Sequence, residues 1–175
     1  LLIRPMKPGD RSIVADSFLR SYEGSIFAGG LSRQEYWRTH APMVDALLDR
    51  ATTLVYCDPS DEWHILGWVC YARPRVIVTA VDVDKGIVTL DHDDKGPSHS
   101  VLHFVYVKTL MRDNKFEPEK QPHIAQELLK GTGLGERFDY TFRTMAWSRY
   151  MQKHRLYGLE YNPKLRNVQE ATKHG

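Results

Sequence analysis

The stretch Val101-Leu102-His103-Phe104-Val105-Tyr106-Val107-Lys108 decides the fold of this chain. Its first seven residues are nearly all apolar, which is typical of a central strand buried on both faces. Further along, apolar residues recur at helical spacing over 124–129, and residues 138–142 return to a strand pattern. A strand, a helix and a second strand in this order predict a parallel crossover.

The part of the chain before this crossover predicts two helices followed by two hairpins. Asp10 is placed to cap a helix that ends near Gly24. Ser32 and Glu35 form a capping-box pattern at the start of a second helix, which Pro42 should kink or split. The pattern predicts strands at 1–4, 53–57, 65–71, 75–81 and 86–90. The helix that starts near 124 should end at Gly131. A last helix at 145–153 and a last strand at 156–161 should follow.

Strands that alternate with helices only in the second half predict an α/β (α+β) fold of three layers around a mixed sheet. The 175 residues suit one domain over 1–165 with a polar tail at 166–175. The net charge of +2 neither requires nor excludes a polyanionic partner. Two cysteines and no recognisable signal peptide favour a reducing, cytoplasmic location, and no apolar run is long enough for a membrane span.

Many short segments of this chain resemble the GCN5-related N-acetyltransferase (GNAT) superfamily, in particular its phage- and prophage-encoded members. The order of elements, the strand at 101–108 and the helix at 124–129 carry the resemblance, which covers residues 2–165. It implies a mixed, mostly antiparallel sheet with a splay between the fourth and fifth strands and an extra hairpin. The other matching segments are Ile3-Arg4-Pro5, residues 17–22, Phe27-Ala28-Gly29, Leu66-Gly67-Trp68, residues 140–144 and Tyr161-Asn162-Pro163.

The resemblance implies acetyl-CoA as the acyl donor and a primary amine as the acceptor. The family's pyrophosphate loop matches 120–125, where His123 replaces a glycine. Either CoA is held with help from the His123 side chain, or CoA binding has been lost. The residues expected to bind the donor are the strand residues Val105, Tyr106, Val107 and Lys108 and the loop residues Lys120, Gln121, His123, Ile124 and Ala125.

Acyl transfer needs an acid for the leaving thiolate and a path for the amine proton. Tyr150 matches the family's usual acid, although the asparagine of that motif is missing. His103 and Glu23 are candidates for the base, and packing or direct transfer to water are alternatives for both. The acidic and histidine residues between 82 and 99 fit no metal-binding pattern, so no metal is expected.

The acceptor should lie beneath the first two helices, which the resemblance places over the splay. The candidate lining residues are Tyr22, Phe27, Tyr36, Trp37 and Arg38, with Arg20 and Arg33 nearby. Aromatic and basic side chains suit a flat, anionic acceptor, and some phage relatives are associated with amine-bearing bases of modified DNA. Two alternatives remain open: a GNAT-like protein that binds a partner without catalysis, and an acyltransferase for a small-molecule or protein amine.

Overall fold

The computed structural model describes residues 2–72, 76–85, 87–92, 100–109, 123–135, 138–156 and 159–161. In those ranges the chain forms eight strands and four α-helices, with single 3₁₀ turns at Pro8–Asp10 and Ile26–Ala28. In chain order the elements are β1 Leu2–Pro5, α1 Arg11–Glu23, α2 Arg33–Arg50, β2 Thr52–Asp58, β3 Asp61–Ala72, β4 Val76–Asp82, β5 Ile87–His92, β6 Val101–Val107, α3 Ile124–Thr132, β7 Asp139–Tyr140, α4 Met145–Lys153 and β8 Glu160–Tyr161.

Six of the strands form one mixed sheet in the order β1-β2-β3-β6-β7-β8. The pairs from β1 to β6 are antiparallel, whereas β6 with β7 and β7 with β8 are parallel. Strands β4 and β5 pair with each other as a separate hairpin. The predicted mixed sheet, parallel crossover and extra hairpin are therefore confirmed.

Helices cover both faces of the six-stranded sheet, as a three-layer fold requires. On one face, α1 and α2 bury an aromatic cluster in which Phe18 contacts Trp68, Phe104 and Phe142. On the other face, α3 and α4 cover a second cluster, whose buried residues include Leu102, Leu128 and Trp147. No helix within the described ranges is long and apolar enough to cross a membrane.

A bulge at His103 divides β6 into two halves. Cys70 of β3 pairs with Phe104 and the next residue, Tyr71, pairs with Leu102, so His103 is an extra residue in β6. One extra residue reverses the alternation of side chains beyond it. Phe104 accordingly points into the α1–α2 layer, and Val105 packs against the cluster under α3 and α4.

Strand β7 is much shorter than the 138–142 pattern predicts. It pairs with β6 only at Val101 and Leu102, and the last backbone bond between the two segments runs from Thr141 N–H to Leu102 C=O at 3.2 Å. Beyond that bond the chain leaves β6 and turns into α4, whose first turn is capped by Thr144. The sheet therefore opens at the middle of β6, as the expected splay requires.

Three local predictions need correction. Asp10 precedes α1 but does not cap it through its side chain, because the carboxylate accepts from Arg4 at 2.6 Å and from the Lys7 N–H at 2.7 Å. Helix α2 continues through Pro42, so the predicted split does not occur; the missing N–H leaves the carbonyl of Arg38, an exposed residue, without its usual helical donor. Helix α3 passes the expected stop at Gly131.

The end of α3 lies two residues later than predicted. Gly133 adopts the left-handed conformation, with a φ of 65°, that commonly ends a helix. Gly131 instead stays helical and packs close to Ile3 and Leu54 of the neighbouring strands. The predicted tail at 166–175 lies outside the described residues.

Candidate active site

A cleft of about 680 Å³ opens where β6 and β7 part. It reaches both layers of the fold, because α1 lies on one face of the sheet and α3 and α4 lie on the other. The cleft is lined by the end of α1 (Arg20, Ser21, Gly24 and Ser25), by β6 residues 104–107 and Thr109, by the start of α3 (residues 123–126), and by α4 residues 144–147, Tyr150, Lys153 and His154.

The β6 wall of the cleft offers backbone groups as well as side chains. Lys108 N–H bonds to Leu66 C=O on the β3 side. Because backbone groups alternate along a strand, those of Val105 are directed to the opposite edge, which borders the cleft. In the described residues β7 no longer accompanies β6 at this height. An extended ligand with amide groups can therefore pair with this edge as a strand would.

The first turn of α3 forms a second wall. His123 occupies the N-cap position and makes no side-chain cap bond. The first intrahelical bond at this end is donated by Glu127 N–H to His123 C=O at 3.0 Å. The N–H groups of Ile124, Ala125 and Gln126 therefore have no partner inside the helix and face a cleft that these residues line. Such a turn suits an anionic group, since the helix dipole is positive there.

Gly67 of β3 lets α3 approach the sheet this closely. A Cβ atom at this position would lie 2.8 Å from the Tyr106 carbonyl oxygen and 2.9 Å from Cγ2 of Ile124. Neither distance is compatible with an unstrained contact. The glycine therefore fixes the separation between β6 and the first turn of α3, which are the two walls of the cleft.

Aromatic rings along one side of α4 form the third wall. Trp147 stacks on Tyr150 at 5.5 Å with an interplanar angle of 12°, and Tyr150 contacts His154 at 4.3 Å. Burial raises the pKa of Tyr150 to about 12, so the phenol stays protonated at neutral pH. Burial, Lys153 and His123 together lower the pKa of His154.

Trp147 also carries a buried donor. The residue is 6% exposed, and among the described residues Nε1 has no hydrogen-bond partner. The residue lines the 680 Å³ cleft and a small adjoining cavity of about 10 Å³ beside His103. An unmet donor in this position costs about 1–3 kcal/mol, which a ligand carbonyl or a water molecule would recover.

The electrostatic character of the cleft is basic. Arg20 and Lys153 line it, whereas no Asp or Glu is among its described lining residues. Glu23 is close in sequence, but it pairs with Arg33 at 3.2 Å. The cleft therefore favours anionic ligands at both its α1 end and its α3 end.

Most residues expected to bind the donor come together in this cleft. Six of them line it: Val105, Tyr106, Val107, His123, Ile124 and Ala125. Lys108 is half-buried and does not line the cleft. Lys120 and Gln121 lie outside the described residues.

Of the three expected catalytic residues, only Tyr150 lines the cleft. His103 is 2% exposed and lies behind the wall, where its Nδ1 is 3.1 Å from Oγ1 of Thr141. Glu23 is one-quarter exposed and is held in the ion pair with Arg33. The two base candidates thus remain predictions for residues that do not border the cleft.

The expected acceptor residues lie elsewhere than the predicted roof. Tyr22 and Tyr36 are 0% and 2% exposed and belong to the core, where Tyr36 Oη donates to Leu19 C=O at 2.7 Å. Trp37 packs against the same core and Arg38 is exposed, and neither lines the cleft. The side chain of Phe27 lies outside what the structure describes.

Sequence reasoning missed the rest of the α4 wall and the end of α1. The missed residues of α4 stand three or four positions from Tyr150, which places them on its side of the helix: Ala146, Trp147, Lys153 and His154. Helical spacing around Tyr150 could therefore have found them. Ser21, Gly24 and Ser25 carry no comparable signal, because their place depends on how α1 crosses the sheet.

No family model and no curated protein matches this sequence. Solved structures of acetyltransferases do show a distant likeness. A histone acetyltransferase HPA2 and related acetyltransferase from Corynebacterium glutamicum is 14% identical, with a TM-score of 0.49 over 75% of this chain and 68% of that one.

Two further solved structures are complexes with acetyl-CoA or CoA. A GNAT family acetyltransferase from Brucella melitensis in complex with acetyl-CoA is 15% identical, with a TM-score of 0.41 over 85% of this chain and 80% of that one. The aminoglycoside N-acetyltransferase AAC(6')-Iy in complex with CoA is 13% identical, with a TM-score of 0.47 over 92% and 88%. Values this low describe a general likeness, so the functional case rests on the cleft itself.

Proposed function

We propose that this chain is an acetyl-CoA-dependent N-acetyltransferase. The observation that carries the proposal is the convergence of three elements on one cleft: the edge of β6 at Val105, the first turn of α3, and Tyr150. Each element answers one need of acyl transfer from a nucleotide-linked thioester. The resemblance of the sequence to the GNAT superfamily points to the same chemistry.

The walls of the cleft fit the parts of acetyl-CoA in order. The N–H groups of Ile124, Ala125 and Gln126 would hold the pyrophosphate, with His123, Lys153 and His154 supplying nearby positive or ionisable groups. The backbone of Val105 would pair with an amide of the pantetheine arm. The buried Nε1 of Trp147 is a further donor for a ligand carbonyl.

In the reaction, the amine nitrogen of the acceptor forms a bond to the acetyl carbon, and the carbon–sulfur bond breaks. Acetyl-CoA supplies the activated acyl group. Tyr150 is protonated at neutral pH, because burial holds its pKa near 12, and it would donate a hydrogen bond and then a proton to the leaving sulfur. The amine would release its proton to water in the open cleft, where no carboxylate is among the described lining residues.

The finer expectations about the acceptor and the base remain predictions. An amine on modified DNA was expected from clustered arginines, but of Arg20, Arg33 and Arg38 only Arg20 lines the cleft. His103 could act only through an intervening group, because it does not border the cleft. The alternative of a non-catalytic binding protein is separated from the proposal by a binding measurement and an activity measurement.

The decisive experiment is calorimetric titration with acetyl-CoA, followed by transfer of labelled acetyl groups to a mixed panel of amines. We expect saturable binding and label on at least one amine. The variant Ala125→Glu places a carboxylate at the first turn of α3 and should abolish binding, whereas Lys130→Glu at the exposed end of the same helix should not. Binding without transfer to any amine would favour the non-catalytic protein, and no binding at millimolar acetyl-CoA would refute the proposal.

A further inference from the structure

The end of the cleft nearest α1 has its own chemistry. Arg20, Ser21, Gly24 and Ser25 belong to the last turn of α1 and the residues after it, and they border the cleft on the face opposite to α3. Met145 adds an apolar side chain that is 48% exposed. Since the α3 end suits the pyrophosphate, the α1 end is the mouth available to the acceptor. We call these five residues the α1 mouth.

Arg20 is the charged group of the α1 mouth. Its Nε donates to both carboxylate oxygens of Asp16 at 2.8 Å, which holds the guanidinium in one orientation on the helix surface. In the described part of the chain, its two terminal nitrogens make no hydrogen bond. A guanidinium fixed in this way still offers a fork of donors that matches a carboxylate or a phosphate.

The same mouth offers nothing to a second positive charge. No Asp or Glu is among its described lining residues, and the two nearest carboxylates along α1 are already paired, Asp16 with Arg20 and Glu23 with Arg33. A single amine is nevertheless accommodated, because the last carbonyls of α1 carry a partial negative charge where Gly24 ends the helix. The α1 mouth therefore presents partial negative charge and a cation within about one helical turn of each other.

We infer that the acceptor is a small amine that also carries an anionic group, a carboxylate or a phosphate, and that Arg20 is the residue that selects it. The amine would lie at the end of α1, next to the acetyl carbon, and the anion would lie on the terminal nitrogens of Arg20. Met145 would contact the hydrocarbon between them. This inference rests on the proposed acetyltransferase activity and names the acceptor class for it.

The test compares acceptors that differ in one charge. Two series are needed, one of amino acids against their amides and one of aminoalkyl phosphates against the matching amino alcohols, each with a diamine of equal length. We expect kcat/KM for the anionic member to exceed that of the neutral and dicationic members by about tenfold or more, the usual value of one charge-assisted hydrogen bond. The series with the larger ratio identifies the anion.

The variant Arg20→Gln should remove this preference while leaving the affinity for acetyl-CoA unchanged. The control Arg50→Gln changes an exposed arginine at the far end of α2 and should retain the preference. A wild-type preference for the neutral amine or the diamine would overturn the inference while the acetyltransferase proposal stands. An equal loss of kcat/KM with every acceptor in Arg20→Gln would do the same. Failure of the wild-type chain to bind acetyl-CoA would remove both.

Discussion

Replacing Gly67 by alanine tests whether the approach of α3 to β6 builds the cleft. The new methyl group would stand 2.8 Å from the Tyr106 carbonyl oxygen, 2.9 Å from Cγ2 of Ile124 and 3.4 Å from Cδ1 of Leu128. Ordinary carbon contacts begin near 3.5 Å, so roughly half an ångström must be found between β3 and the first turn of α3. Overpacking of this kind costs about 1–3 kcal/mol.

The expected result is a thermal midpoint lower by about 2–4 °C for each kcal/mol, or roughly 4–8 °C for a loss of 2 kcal/mol. Acetyl-CoA affinity should fall by about tenfold, because the displaced turn carries the N–H groups that would hold the pyrophosphate. Differential scanning calorimetry and titration with acetyl-CoA measure the two effects separately.

Gly131→Ala is the matched control for Gly67→Ala. The same methyl group at position 131 meets only ordinary contacts at 3.6–3.8 Å, and the position is helical. Alanine there should stabilise the protein by about 0.5–1 kcal/mol through helix propensity, without changing acetyl-CoA binding. An unchanged or raised midpoint in Gly67→Ala would show that α3 does not depend on this glycine, and the reasoning would fail.

Three further outcomes follow from individual side chains. Tyr150→Phe keeps the stack on Trp147 but removes the proton donor, so kcat should fall by about 10²–10⁴-fold at unchanged acetyl-CoA affinity; a loss below about threefold would make Tyr150 a packing residue. Asp10→Asn removes the buried carboxylate that pairs with the half-buried guanidinium of Arg4 and should cost about 3 kcal/mol in a denaturant titration, and a neutral result would contradict the pairing. Burial lowers the pKa of His40, so stability should decline as the pH falls below about 6.5, where the unfolded chain binds the proton more readily. In His40→Gln the slope of midpoint against pH between 7 and 5 should flatten, and an unaltered slope would assign the effect to other groups.

The sequence was most informative where a pattern is local. The capping box at Ser32 and Glu35, the apolar run of β6 and the helix at 145–153 were all predicted correctly, because each depends on residues adjacent along one element. Six donor-binding candidates also line the cleft, since a resemblance in β6 and α3 carries the positions of their backbones with it.

The predictions that failed depend on how elements pack. Tyr22 and Tyr36 were expected to line the acceptor site, but α1 and α2 turn these rings into the aromatic core. The length of β7 was overestimated because the 138–142 pattern does not show where the chain leaves β6. Trp147 was missed because it appears as an ordinary core tryptophan until α4 is placed against the opening of the sheet.

The bulge at His103 keeps the two layers of β6 in place under both substitution and deletion at this one position. A different side chain at 103 would lose the contact with Thr141 but would leave every later residue of β6 facing its present layer. Deleting the residue would remove the bulge and make the ladder regular: Leu102 and Phe104 would become neighbours and keep their partners Tyr71 and Cys70. Leu102 would still face the layer of α3 and α4, and Phe104 would still face the aromatic core, because consecutive residues of a regular strand face opposite layers. Residue 103 is therefore a spacer that β6 can lose without exchanging its two layers.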